Sequence, residues 1–114
     1  MSLLRYYARA SGDPHLIAAV AATLKAVWDP AEELQAPDGT CDPRAHAATI
    51  LGMLATGGDI AAVNGYLRRA EEAAFGTVRS SPDERRNLSH HIWRMMQDTA
   101  VGASKSATDR DAAT

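Results

Sequence analysis

The chain has 114 residues and a formal net charge of −2, and of the 46% classed as hydrophobic, 23 positions are alanine, leaving 29 larger apolar side chains. That content supports one small domain. No run of about 18 apolar residues exists to span a bilayer, and the near-neutral charge argues against a surface that traps nucleic acid or anionic lipid everywhere.

At the N-terminus, Met1 to Ala10 interleaves Arg5 and Arg9 with Leu3, Leu4, Tyr6 and Tyr7. It lacks the unbroken apolar stretch of a secretory signal, so a cytoplasmic chain is expected, with this segment favoured as a helical turn over a packed arm. Asp13-Pro14 then opens a helix, because proline suits the first helical position and the aspartate side chain can accept from a free N–H of the first turn. Leu16, Ile17, Val20, Leu24, Val27 and Trp28 recur at helical spacing along it, and Asp29-Pro30 ends it. A loop over Asp29 to Thr40 follows, with a tight turn at Pro37-Asp38-Gly39 and room for a short helical piece over Ala31 to Leu34.

Asp42-Pro43 starts the next helix, whose apolar set is His46, Ala47, Ile50, Leu51, Met53 and Leu54, and Gly57-Gly58 stops it. Asp59 caps a further helix with Ile60, Val63, Tyr66, Leu67, Ala70, Ala74 and Phe75 inward, closed by Gly76. The connection between these two is so short that they should pack as a hairpin or corner. Ser81-Pro82-Asp83-Glu84 matches a capping box and places two acids at the positive end of the helix dipole. On this last helix Leu88, Ile92 and Met95 form the inward line, Trp93 and Met96 widen it, and the helix should end by Gly102. Residues 102–114 carry no large apolar group and are expected as a flexible tail. The fold class is therefore all-α, a compact bundle of four to five short helices over residues 1–101 with a disordered C-terminal tail. Ala18, Ala22, Ala48, Ala62 and Ala73 would favour helix and let neighbouring helices approach closely.

Chemistry is sparsely signalled. There is no phosphate-binding glycine loop, and the neighbouring pairs Glu32-Glu33 and Glu71-Glu72 diverge by about 100° on a helix, so they read as solvated faces. The lone Cys41 makes no internal disulfide and fits a reducing compartment. Cys41, His46 and His91 lack a recognised zinc spacing, and a Cys41–His46 catalytic pair lacks an orienting group. No catalytic residue, metal or cofactor is expected, and the chain reads as non-enzymatic.

Partner-binding candidates are easier to name. Trp93 and Met96 fall off the main apolar line of the last helix, and Tyr6 and Tyr7 cannot both be buried by one face. Arg85 and Arg86 bring positive charge to the same helix, while Glu32 and Glu33 sit in an acidic stretch from Asp29 to Asp42. A twofold dimer covering Trp93, Met96 and the tyrosines stands as open as a monomer. The helices on either side of Gly57-Gly58 also have the layout of a helix-turn-helix, in which Asn64, Arg68 and Arg69 would reach a groove. Arginines paired to nearby acids are the plainer explanation.

Trp28-Asp29-Pro30, then an acidic loop, an amphipathic helix with Ile50, Leu51 and Leu54, Gly57, Tyr66-Leu67, Glu71 and Phe75-Gly76 together resemble a family of small bacterial helical domains of uncharacterised function. Arg44, Ala45 and His46 stand where that family carries an acid and an aromatic. The resemblance implies an all-helical fold and no established catalytic residues, and some domains of this size and kind look like immunity or accessory proteins beside toxin genes. The expected function is thus a bacterial protein-interaction module binding a toxin or regulatory partner, with a nucleic-acid-binding regulator as the alternative and no membrane partner.

Overall fold

The structure, a computed structural model, describes the backbone of residues 4–113 and the side-chain surroundings of residues 7–102. Five helices account for its regular structure: α1 (Leu4–Ser11), α2 (Pro14–Val27), α3 (Pro43–Ala55), α4 (Ile60–Phe75) and α5 (Pro82–Ala113). Among the described residues there is no strand, and no helix is long and apolar enough to cross a membrane.

The caps anticipated from the dipeptides are made. Asp13 accepts from the His15 N–H at 2.8 Å, Asp42 from Arg44 at 2.9 Å, Asp59 from Ala62 at 2.8 Å, and the Ser81 hydroxyl oxygen from Glu84 at 3.1 Å. Each satisfies one of the donors that a helix start leaves unpaired. Between α3 and α4, Gly57 adopts φ 96°, and Gly58 passes so close to α3 that a Cβ there would lie 2.6 Å from the Met53 carbonyl oxygen.

α3 lies mainly against α2 and α1, while α5 runs along α1, α4 and α2. The corner between α3 and α4 is present, but α3's main neighbour is α2, across the long loop. Val20 and Leu24 from α2, Ile50, Leu51 and Leu54 from α3, Val63 and Leu67 from α4, and Ile92 and Met96 from α5 are all fully buried. Their convergence supplies the apolar burial that holds short helices in place.

Several expectations shift. On α5 the inward line is Leu88, Ile92, Met96 and Ala100, so Met95 is only half-buried and Met96 belongs to the core. Arg85 and Ser89 share this stripe, which rotates it away from the purely apolar count. The alanines at close helix contacts are Ala10, Ala21, Ala47 and Ala100. Ala18, Ala22, Ala48 and Ala73 are exposed and serve helix propensity instead. Ala31 to Leu34 is not helical.

Gly102 does not interrupt α5, whose backbone stays helical to Ala113. One glycine inside a helix already nucleated costs only about 1 kcal/mol. Ala100 remains the last buried residue whose side chain is described.

The loop after α2 is held from within. Both Asp29 carboxylate oxygens accept backbone N–H groups, from Glu33 at 2.9 Å and Leu34 at 3.0 Å, and Leu34 is driven into the interior at 1% exposure. Glu32 takes φ 54° to complete this tight path, the one non-glycine residue with positive φ among those described. At the far end Ala36 and Thr40 close the turn expected at Pro37-Asp38-Gly39.

Candidate functional site

The polar centre of the molecule is Glu71. Its place on α4, four residues after Leu67 and eight after Val63, puts it on the buried face, and it is 3% exposed. The solvated face expected for the Glu71-Glu72 pair therefore holds only for Glu72. Four donors meet the carboxylate. Oε1 accepts from the Arg79 and Ser80 backbone N–H groups at 3.0 and 2.7 Å, and Oε2 from the Ser80 hydroxyl at 2.6 Å and Trp28 Nε1–H at 3.3 Å. Burial pushes the carboxyl upward, but the bonds from Ser80, Trp28 and Arg79 outweigh it and hold the group below its ordinary range.

Arg85 extends the network. Its Nη1 donates to the Ser80 carbonyl at 2.6 Å and hydroxyl at 3.0 Å, and its Nε donates to Asn64 Oδ1 at 3.0 Å. At 7% exposure Arg85 is a tie between α4, the following loop and α5, not a free guanidinium for a partner. Asn64, required to face outward in a helix-turn-helix, turns inward to it, and Arg68 pairs with Glu72 at 3.4 Å.

A second buried set lies on the other side of Trp28. The indole meets His46 edge-on at 5.1 Å between ring centres, and His46 meets Tyr66 similarly at 5.9 Å. His46 Nε2 is 2.6 Å from the Leu34 carbonyl oxygen, which can only accept, so this nitrogen carries hydrogen. Nδ1 lies 2.7 Å from the Tyr66 hydroxyl and accepts from it in the neutral ring. Burial pushes the Tyr66 hydroxyl up.

These bonds exhaust the obvious chemistry. The carboxylate of Glu71 has about four lone-pair sites, all occupied, and both His46 nitrogens are engaged. His91 is exposed on α5, Cys41 is half-buried and His46 is buried. Among the described residues no three His, Cys, Asp or Glu side chains are grouped to hold a metal ion.

What the network does is fix a groove. With Trp28 and the Ser80 segment both tied to Glu71, the C-terminal half of α2 stands apart from the first turns of α5. Between them opens a cleft of about 430 Å³, walled by Val27, Trp28 and Leu88 and edged by Glu84, Asn87 and His91. Val27 is 65% exposed at its rim, the most exposed large hydrophobic residue among those described.

The other sequence candidates fall elsewhere. Trp93 is half-buried and packs on Tyr7, ring centres 5.5 Å apart, so the pair closes the α1–α5 contact. Fully buried Met96 can meet no partner. Tyr6 is on α1, but its side chain lies outside the described surroundings. Arg86 is exposed; Glu32 is exposed and paired with Lys25 at 3.3 Å. Exposed Glu33 lines the neighbouring cleft, which shares Val27, Trp28, Ser80 and Glu84 with the first. Val27, counted as core from its spacing, is the apolar residue of the groove that the spacing misplaced. The signal is the stricter four-residue line Leu16, Val20, Leu24 and Trp28, which leaves Val27 about 100° to one side.

No protein-family model, curated protein or solved structure matches this chain.

Proposed function

We propose that this chain is a non-catalytic protein-interaction domain that receives its partner in the groove between α2 and α5. The observation that carries the reading is Val27, a large aliphatic side chain left 65% exposed beside an apolar cleft whose walls are locked by the Glu71 network. Pre-formed apolar concavities edged by a few polar groups suit recognition, and rigid walls lower the ordering cost of binding. Covering a toxin, as a bacterial immunity protein does, is one form of such binding.

The test compares tagged wild-type chain with Val27→Arg and Arg68→Glu in the source cell. A partner recovered with wild type and Arg68→Glu but lost with Val27→Arg supports the groove. Recovery of the same proteins with all three, or of the chain alone, overturns it.

One observation favours a second reading. Arg86, His90 and Arg94 lie four residues apart along one exposed line of α5, a basic stripe able to follow phosphates. In that case nucleic-acid binding at low salt weakens when Arg86 and Arg94 become alanine, and absence of any binding there disposes of it.

A further inference from the structure

We infer that the occupant of the α2–α5 groove is a linear segment of a partner protein with an apolar anchor at its centre, a basic residue at one end and an acidic residue at the other. This rests on the groove being the binding site and concerns the chemistry that fills it.

Three clefts join end to end. The central one shares Val27, Trp28, Ser80 and Glu84 with a cleft of about 220 Å³ on one side, and Asn87 and His91 with a cleft of about 390 Å³ on the other. Along α5 the floor runs from Glu84 to Arg94, ten residues, or about 15 Å at 1.5 Å per residue. That length takes a short helix or an extended piece of chain.

The two ends differ in sign. Asp29, Glu33, Glu71 and Glu84 line the first, against Arg79 and, from the central cleft, Arg85. Asp29 and Glu71 are buried and engaged in hydrogen bonds, so its exposed acids are Glu33 and Glu84. Arg85 is likewise buried and bonded to Ser80 and Asn64, while Arg79 is exposed and lies over the Phe75 ring at 3.5 Å with its charge intact, so this end keeps one negative charge in excess. At the other end His90, His91 and Arg94 stand with Asn87 and no carboxylate. The ion pairs among the described residues are Lys25 with Glu32 and Arg68 with Glu72, so Glu33, Glu84 and Arg79 at one end and Arg94 at the other have no counter-ion within this set. Charges held apart across an apolar middle set the direction of a bound segment, and a segment of matching order gains at both ends.

The experiment pans a random linear peptide library on the full chain, then measures selected peptides against Val27→Arg and against a Glu84→Lys/Arg94→Glu double variant. All three positions are on the surface, and circular dichroism confirms that the helices persist. Expected are peptides with an apolar centre and basic and acidic ends, binding the wild type more than tenfold tighter than either variant, while panning on the double variant selects the opposite order. Peptides that need Val27 but show no charge order, or ignore the reversal, overturn this inference and leave the groove standing. Failure to select any peptide that needs Val27 overturns both. A concentration-dependent dimer abolished by Val27→Arg, or displacement of selected peptide by an oligonucleotide, assigns the groove to a second copy or to nucleic acid and overturns the peptide assignment.

Discussion

Trp28 and Glu71, 43 residues apart in the chain, meet through a 3.3 Å hydrogen bond from the indole N–H to the buried carboxylate. That bond ties the end of α2 to α4, and the other three bonds to Glu71 tie both to the segment leading into α5. One side chain thereby sets the spacing of the groove's walls.

Replacing Glu71 with glutamine should therefore weaken the whole domain. The amide keeps the shape but turns an acceptor into a donor facing N–H groups, so the loss should be about 1–3 kcal/mol. For a domain of this size each kcal/mol lowers Tm by about 4–8 °C. Urea unfolding gives the value, and a change below about 0.5 kcal/mol would show that the network contributes little.

The same carboxylate predicts a pH profile. Its folded-state value lies below the ordinary 4.5, so its contribution is complete above that pH and is lost as pH falls through the folded value. Wild type and Glu71→Gln should differ most near neutrality and converge in acid. At the alkaline side Tyr66 is raised above its ordinary 10.0, chiefly by burial. Its contribution is complete below that value and is lost as pH rises through the folded one, an alkaline limb that Tyr66→Phe should flatten. Parallel curves for wild type and each variant would contradict both assignments.

His46 and Tyr66 form a pair suited to a double-mutant cycle. His46→Phe strands the Leu34 carbonyl and the Tyr66 hydroxyl, and Tyr66→Phe strands His46 Nδ1, each a buried polar group without a partner. Each single change should cost about 1–3 kcal/mol, and the double variant less than the sum, with a coupling of about 0.5–3 kcal/mol. Strict additivity would mean that the 2.7 Å contact carries no energy.

Two glycines should respond in opposite directions. Gly58→Ala drives a methyl to 2.6 Å from the Met53 carbonyl oxygen, and the α3–α4 corner must open, at a cost of about 1–3 kcal/mol. Gly52, inside α3, has nothing within 4 Å of a new Cβ, so Gly52→Ala should stabilise by about 0.5–1 kcal/mol. Thermal melts of the two variants check the sign directly.

The helical architecture was legible because its signals are local. Asp13-Pro14, Asp42-Pro43, Asp59 and Ser81-Pro82 each mark a helix start that the backbone then makes. The groove was not, because periodicity treats a polar residue as a surface residue. Glu71 on the Val63–Leu67 line and Arg85 on the Leu88–Ile92 line had the spacing of buried positions, but only their long-range partners, Trp28 and Asn64, make that burial affordable. The same omission turned the α5 stripe toward Met95 and left Met96 among the surface candidates. Val27 failed for the converse reason, an apolar residue at helical spacing with no element above it.

The Asp29 clamp sets different rules for the two ends of the loop between α2 and α3. Because one carboxylate holds the N–H groups of the fourth and fifth residues after it, and the fifth delivers its carbonyl to His46, the number of residues from Asp29 to Leu34 is fixed as a ruler is fixed. The turn at Pro37 to Gly39 is exposed and closed only on itself. Insertions, tags or divergent sequence belong at that tip, and a single added residue near Glu32 would throw Leu34 out of the interior and the histidine off its acceptor.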